Sequence, residues 1–190
     1  MLDVVKNKNT LVDNFGRTVN YVRISVTDRC DFRCVYCMEE EMEFLPRKQL
    51  LTLEELAWIG RAFTELGASK IRITGGEPLV RNNVIKLFED LGNLPGISEL
   101  VTTTNGSQLV KYAKPLKAAG VKRINISLDS LQADKFKQMS RVGDLNKVLA
   151  GIDAALDAGF EKIKINTVIL KNRNHDEITD LVMFAGERGI

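Results

Sequence analysis

Three cysteines, Cys30, Cys34 and Cys37, stand within eight residues and are the only cysteines of the chain. An odd number set this closely is poorly suited to disulfides, whereas close-set thiolates are what a metal ion or an iron–sulfur cluster requires. The spacing C-x3-C-x2-C places three sulfurs on three corners of a [4Fe–4S] cube, whose usual complement is four cysteines. The missing fourth ligand leaves one iron open to a small molecule. A zinc knuckle is the bland alternative, and it needs a fourth ligand. The single histidine, His175, is far away in sequence and reads as a helix-start or surface residue.

Further chemistry-bearing residues recur at intervals: Gly75-Gly76-Glu77-Pro78, Thr103-Thr104-Asn105-Gly106, Ser127-Leu128-Asp129-Ser130 and Lys164-Ile165-Asn166. Each follows or ends a run rich in Ile, Val or Thr. The runs Tyr21–Val26, Lys70–Thr74, Glu99–Thr103, Lys122–Leu128 and Lys162–Leu170 are predicted strands. Helices are predicted between them and after the last, over Thr52–Leu66, Asn82–Leu91, Ser107–Ala119, Asp144–Ala158 and Asp176–Arg188. Thr52 with Glu55 forms a capping-box signature, Asp144 is a candidate cap, and Gly67, Gly120 and Gly159 stand where helices should stop. Leu53, Leu56, Ala57, Gly60 and Phe63 recur at helical spacing and should pack on the sheet. Strand–helix alternation means a parallel sheet, and ligands of such folds bind beyond the carboxyl ends of the strands. The chemistry-bearing residues are found there.

Alternation within the strands decides between an open and a curled sheet. Arg123, Asn125 and Ser127 share one face, opposite Ile124, Ile126 and Leu128. Lys162, Lys164 and Asn166 oppose Ile163 and Ile165; Lys70, Arg72 and Thr74 oppose Ile71 and Ile73; Arg23 lies with Tyr21 and Ser25. A doubly wound sheet buries both faces and reads as continuous Val, Ile and Leu. One polar face predicts helices outside and a polar, basic interior: a partial (β/α) barrel of about five βα units, α/β in class, holding an anionic ligand. A two-layer sheet with a merely solvated polar face is the alternative.

The 190 residues, 44% hydrophobic and 27% charged, suit one compact domain over 1–190. The formal charge of +2, from 27 basic and 25 acidic residues, argues against a nucleic-acid partner. Apolar runs are only a few residues long, so no membrane span is predicted, and the N-terminus lacks the apolar stretch of a secretory signal. A cytoplasmic enzyme is expected. No G-x-x-x-x-G-K-[ST] occurs, which sets aside a P-loop NTPase.

C-x3-C-x-aromatic-C, with Tyr36 before the third cysteine, resembles the signature of the radical S-adenosylmethionine (SAM) superfamily, and Gly75-Gly76-Glu77-Pro78 resembles its second hallmark. Asp13-Asn-Phe-Gly-Arg17, Tyr21 to Cys30, Lys70 to Arg81, Thr103 to Gly106, Asn125 to Ser130, Gly151 to Ala155 and Lys164 to Val168 are similar to the GTP 3′,8-cyclase family of molybdenum cofactor biosynthesis. The resemblance runs from about Asp13 to the last residue. It implies that Cys30, Cys34 and Cys37 hold the cluster and that SAM chelates the open iron. It also implies that Tyr36, Gly75, Gly76, Glu77 and Ser127 serve SAM, Glu77 and Asp129 being structural or cofactor-positioning. Arg23, Arg72, Thr103 and Lys164 would hold GTP, in agreement with the strand-face reading of the three cations; two Arg and one Lys make a reasonable triphosphate clamp. The implied reaction is reductive cleavage of SAM to a 5′-deoxyadenosyl radical, abstraction of the ribose C3′ hydrogen of GTP, and bonding of C3′ to guanine C8. The protein binds, orients and excludes water, so no general acid or base is nominated. Partners are then GTP and an electron donor, with a homodimer allowed.

Members of that family are longer, with a second cluster on three further cysteines and a Gly-Gly tail. The 190 residues are therefore expected to be an N-terminal portion carrying the SAM half, with an unpaired sheet edge after the last helix and little cyclised product when alone. Asp31 and Glu39 depart from the family pattern beside the cysteines. Two alternatives have discriminating outcomes. Another radical SAM enzyme, such as a peptide-modifying one, would give no role to Arg23, Arg72 and Lys164 together. A non-enzymatic metal-binding or electron-carrying module would load zinc or hold a cluster indifferent to SAM.

Overall fold

The computed structural model describes residues 10–160 and 162–190. The expectation that the first nine residues lack a secretory stretch lies outside the described residues. Five strands, β1 (Tyr21–Ser25), β2 (Lys70–Thr74), β3 (Glu99–Thr104), β4 (Val121–Ser127) and β5 (Lys162–Asn166), form one sheet. All pairings are parallel and the spatial order is β1-β2-β3-β4-β5. Strands adjacent in sequence are thus adjacent in space, and crossovers of one hand send successive helices to one face. The helices are α1 (Leu53–Glu65), α2 (Val84–Gly92), α3 (Leu109–Ala118), α4 (Ala133–Ser140), α5 (Leu145–Asp157) and α6 (Ile178–Glu187).

The core lies between that helical layer and the isoleucine face of the sheet. Ile71, Ile73, Ile124 and Ile126 pack in one cluster with Leu56, Leu87, Leu116 and Ile152. The opposite face carries Arg23, Arg72, Thr103, Asn125 and Lys164. Helices on one side only, over a sheet in sequential order, form the arc of a (β/α) barrel. Among the described residues no helix is long and apolar enough to cross a membrane.

Local signals set the element ends. Thr52 Oγ1 accepts from Glu55 N at 3.1 Å and Glu55 Oε2 accepts from Thr52 N at 2.7 Å, completing the capping box of α1. Asp144 Oδ1 accepts from Asn146 N at 3.0 Å at the start of α5. Gly67, Gly120 and Gly159 have φ of 95°, 85° and 75°, the left-handed stops expected after α1, α3 and α5.

Two expectations are corrected. The fifth strand ends at Asn166 and does not run to Leu170. Beyond it the buried Asn174 supplies partners in place of a neighbouring strand, donating to Asp129 O at 2.6 Å and Val168 O at 2.9 Å and accepting from Leu170 N at 2.8 Å. Helix α4 has no counterpart among the predicted helices. Its apolar stripe is only Phe136 and Met139, too short a pattern to read as a helix, and Arg141 ends it at φ 62°.

Candidate functional site

The cysteines sit on the loop that leaves β1, and two other segments hold that loop. Beneath it runs the Gly-Gly-Glu turn after β2: Gly76 N donates to Thr27 O at 2.7 Å and Glu77 N to Arg29 O at 2.8 Å. A Cβ on Gly76 would stand 2.4 Å from Arg29 O and 2.7 Å from Asp28 O, and one on Gly75 would stand 2.9 Å from Thr27 O. At both glycines the protein's own backbone makes the close approach, and Gly76 also lines the cavity described below.

On the far side the unforeseen helix α4 takes part. Arg33 N donates to Ser140 O at 3.0 Å and Val35 N to Met139 O at 2.9 Å. Arg141 Nη1 reaches Arg33 O at 3.3 Å and Met38 O at 3.2 Å, and Phe32 meets Phe136 edge-on with centroids 5.9 Å apart. The left-handed backbone of Arg141 turns the chain at the point where its guanidinium can reach the loop.

The loop closes over a cavity of about 170 Å³ lined by Cys30, Cys34, Tyr36 and Cys37, by Gly76 and Glu77, by Thr103, Thr104 and Asn105, and by Ser127 and Asp129. Residues following or ending four strands thus converge. A larger depression of about 560 Å³, beside Trp58 and Arg61 on the outer helical surface, is remote from these residues. Among the described residues no three His, Cys, Asp or Glu gather closely enough for a single metal ion. Three cysteines lining one cavity present the soft sulfur donors that an iron–sulfur cube takes, so the residues present fit such a cluster. Burial foremost pushes the Cys30 and Cys34 thiols up to about 11, with nearby Glu77 and Asp31 adding to the first and Asp129 to the second. Binding to a metal centre displaces those protons.

The polar walls are tied to one another. Glu77, 1% exposed, accepts from Leu79 N at 3.0 Å, Thr104 Oγ1 at 2.8 Å and Asn105 N at 2.6 Å. Burial outweighs these donors and pushes its carboxyl up to about 7. Its side chain therefore joins the end of β2 to that of β3. Tyr36 Oη donates to Asp129 Oδ2 at 2.5 Å, and burial raises the pKa of both groups.

Arg72 Nη1 donates to Thr103 Oγ1 at 3.1 Å, which links the cavity to the cationic face beneath it. Arg23 is in register with Arg72, and Thr103 with Asn125 and then Lys164. The structure therefore gathers Cys30, Cys34, Cys37, Tyr36, Gly76, Glu77, Thr103 and Ser127 around one cavity. Gly75 backs it against Thr27, and Arg72 joins through Thr103. Arg23 and Lys164 share the face from the two outermost strands and are exposed. His175 lies in the turn His175–Glu177, its Nδ1 accepting from Asn172 N at 2.9 Å, as a helix-start residue would. Sequence reasoning missed Arg141 and the roles of Asp31 and Asn105. The last two had a signal, since Asn105 lies at a strand end and Asp31 beside a cysteine.

The radical SAM superfamily pattern matches residues 24–185. The chain belongs to the radical SAM superfamily. Among curated radical SAM relatives, the GTP 3′,8-cyclase of Saccharophagus degradans is 62% identical over 182 residues, covering 96% of this chain and 55% of the relative. That of Pseudomonas putida is 58% identical over 183 residues, with the same coverages of 96% and 55%. The chain thus spans about half the length of the curated relatives it matches. Streptococcus suis SuiB bound to S-adenosylmethionine superposes with a TM-score of 0.76 at 23% identity, over 90% of this chain and 39% of that one. Coproporphyrinogen III oxidase of Escherichia coli, a radical SAM enzyme, gives 0.60 at 17% identity, over 88% and 41%. At these identities the likeness is one of fold, and the fold is the partial barrel of this superfamily.

Proposed function

We propose that this chain is the radical SAM core, over residues 1–190, of a GTP 3′,8-cyclase acting in molybdenum cofactor biosynthesis. The observation that carries the reading is the bond from Arg72 to Thr103, which brings a cationic strand face up to the floor of the three-cysteine cavity. An anionic substrate on that face would have its reacting end directed at the cavity. When bound, the cluster and SAM would supply the radical chemistry needed to remove the ribose C3′ hydrogen of GTP and so join C3′ to guanine C8.

The chain's own residues do the rest. Cys30, Cys34 and Cys37 hold the cluster; Tyr36, Gly75, Gly76 and Ser127 border SAM, with Glu77 bracing that wall from behind. Arg23, Arg72, Thr103 and Lys164 hold the nucleotide, the guanidinium of Arg72 being aimed by Thr103. Fixing substrate and cofactor in one geometry and keeping water out is the protein's catalytic contribution. An electron donor, a cytoplasmic location and an assembly compatible with a homodimer belong to the same reading.

The test is anaerobic reconstitution with iron and sulfide, then EPR of the reduced protein with and without SAM, followed by titration with GTP. A [4Fe–4S] signal that changes on adding SAM, together with GTP binding weakened by Arg72→Ala, is the expected result. Zinc uptake without a cluster, or a cluster indifferent to SAM, would overturn it. Nucleotide-independent binding of a peptide would favour a peptide-modifying enzyme instead.

A further inference from the structure

The sulfur of Cys30 has two polar neighbours. Phe32 N donates to it at 3.3 Å from the loop itself, and Asn105 Nδ2 approaches to 3.8 Å from the end of β3. The amide of Asn105 has one orientation available. Its Oδ1 accepts from Ser107 N at 3.0 Å and its Nδ2 donates to Asp31 Oδ1 at 2.6 Å. A flipped amide would set oxygen against carboxylate and nitrogen against an N–H. With one Nδ2 hydrogen on Asp31, the other is directed to Cys30.

The frame around this amide is closed. Asp31 Oδ2 accepts from Ser107 Oγ at 2.6 Å and from Gln108 Nε2 at 3.2 Å, so the carboxylate that aims Asn105 is itself held. Asn105 is only 9% exposed, and its backbone N–H is engaged by Glu77. Both side-chain polar atoms and the backbone N–H of the residue have stated partners, and one of them is a cysteine sulfur.

We propose that Asn105 is a positioning residue for the cluster: its amide N–H fixes the Cys30 thiolate and raises the potential at which the cluster accepts an electron. This rests on the reading of the three cysteines as cluster ligands. Hydrogen bonds to ligand sulfurs favour the electron-rich reduced form and are a principal control of potential. Asp31 has two opposed effects. It aims the amide at the sulfur, while its negative charge disfavours the added electron.

The test uses the full chain reconstituted with iron and sulfide, and an EPR-monitored redox titration. Asn105→Ser retains a side-chain oxygen able to accept the Ser107 N–H, so the turn survives, but it is too short to reach Cys30. Asn105→Thr repeats the measurement with the same turn chemistry. The expected result is an unchanged iron content with about a tenfold smaller reduced-to-oxidised ratio at a given potential, a lowering of about 59 mV for one electron. Asp31→Asn, which removes the charge and keeps an oxygen for the amide, should shift the midpoint upward. A merely structural Asn105 would alter stability and leave the midpoint where it was. Variants loaded with cluster and showing the wild-type midpoint overturn the proposal alone. A wild-type chain that assembles no reducible cluster overturns the ligand reading and this proposal with it.

Discussion

Tyr36 and Asp129 meet at 2.5 Å, hydroxyl to carboxylate, so the loop bearing three cysteines is fastened to the chain just beyond β4. The other oxygen of Asp129 accepts from Val168 N at 2.9 Å, which extends the fastening to the segment after β5. Tyr36→Phe keeps the ring and leaves one carboxylate oxygen without its donor. The expected cost is about 1–3 kcal/mol, read as a lower urea midpoint of the cluster-free protein. An unaltered midpoint would show that the loop does not depend on this contact.

Gly76 tests the glycine turn. A methyl group there would lie 2.4 Å from Arg29 O, which must move for it to fit. Because Arg29 immediately precedes Cys30, Gly76→Ala should displace the first cysteine. The expected outcome is a loss of about 2 kcal/mol or more in stability together with reduced iron uptake on reconstitution. Full iron uptake by the variant would mean that the loop tolerates the shift.

Arg72 tests the nucleotide reading. Its guanidinium is aimed by Thr103 and makes a two-pronged donor that an ammonium cannot reproduce. Arg72→Ala should weaken GTP binding about 10–100-fold in calorimetry and affect guanosine far less, in keeping with a charge-assisted contact to phosphate. Arg72→Lys should recover only part of the loss. Equal losses for GTP and guanosine would move Arg72 away from the phosphates.

Glu77 gives a pH dependence. Its folded-state pKa, pushed up to about 7 by burial, lies above the ordinary glutamate value of 4.5, so the folded chain holds this proton more tightly than the unfolded one. Its contribution is therefore fully present below about pH 4.5 and is lost as pH rises through about 7. Urea midpoints of wild type and Glu77→Gln, measured from pH 5 to 8, should differ in slope, the variant being flatter. Parallel curves would show that Glu77 is ionised throughout.

The sheet was legible because period-2 alternation and helix caps are local signals. Thr52 with Glu55, Asp144 and the three stop glycines mark their elements within a few residues. The cationic face was legible for the same reason, since Arg23, Arg72 and Lys164 need only alternation to be placed together. Contacts distant in sequence were not legible. Asn105 meets Asp31 across 74 residues, and Arg141 reaches Arg33 across 108. Helix α4 was missed because burying two apolar side chains satisfies it, its backbone being needed as a shelf for the cysteine loop. The glycines were legible as places of close approach, but the backbone of Thr27 to Arg29 that lies against them was not, since sequence shows that a Cβ is missing and not what lies against the gap.

The separation of 93 residues between Tyr36 and Asp129 has a temporal meaning as well. At a synthesis rate of about 5–20 residues per second, the three thiols emerge from the ribosome roughly 5–20 s before the residues that fasten their loop. During that interval they hang on a tether that has no shelf and no carboxylate latch. Premature metals would meet an unformed nest, and oxidation would meet unguarded sulfur. The chain order thus sets a timetable for the loop: its latch and shelf are complete only once the residues up to Ser140 have been made.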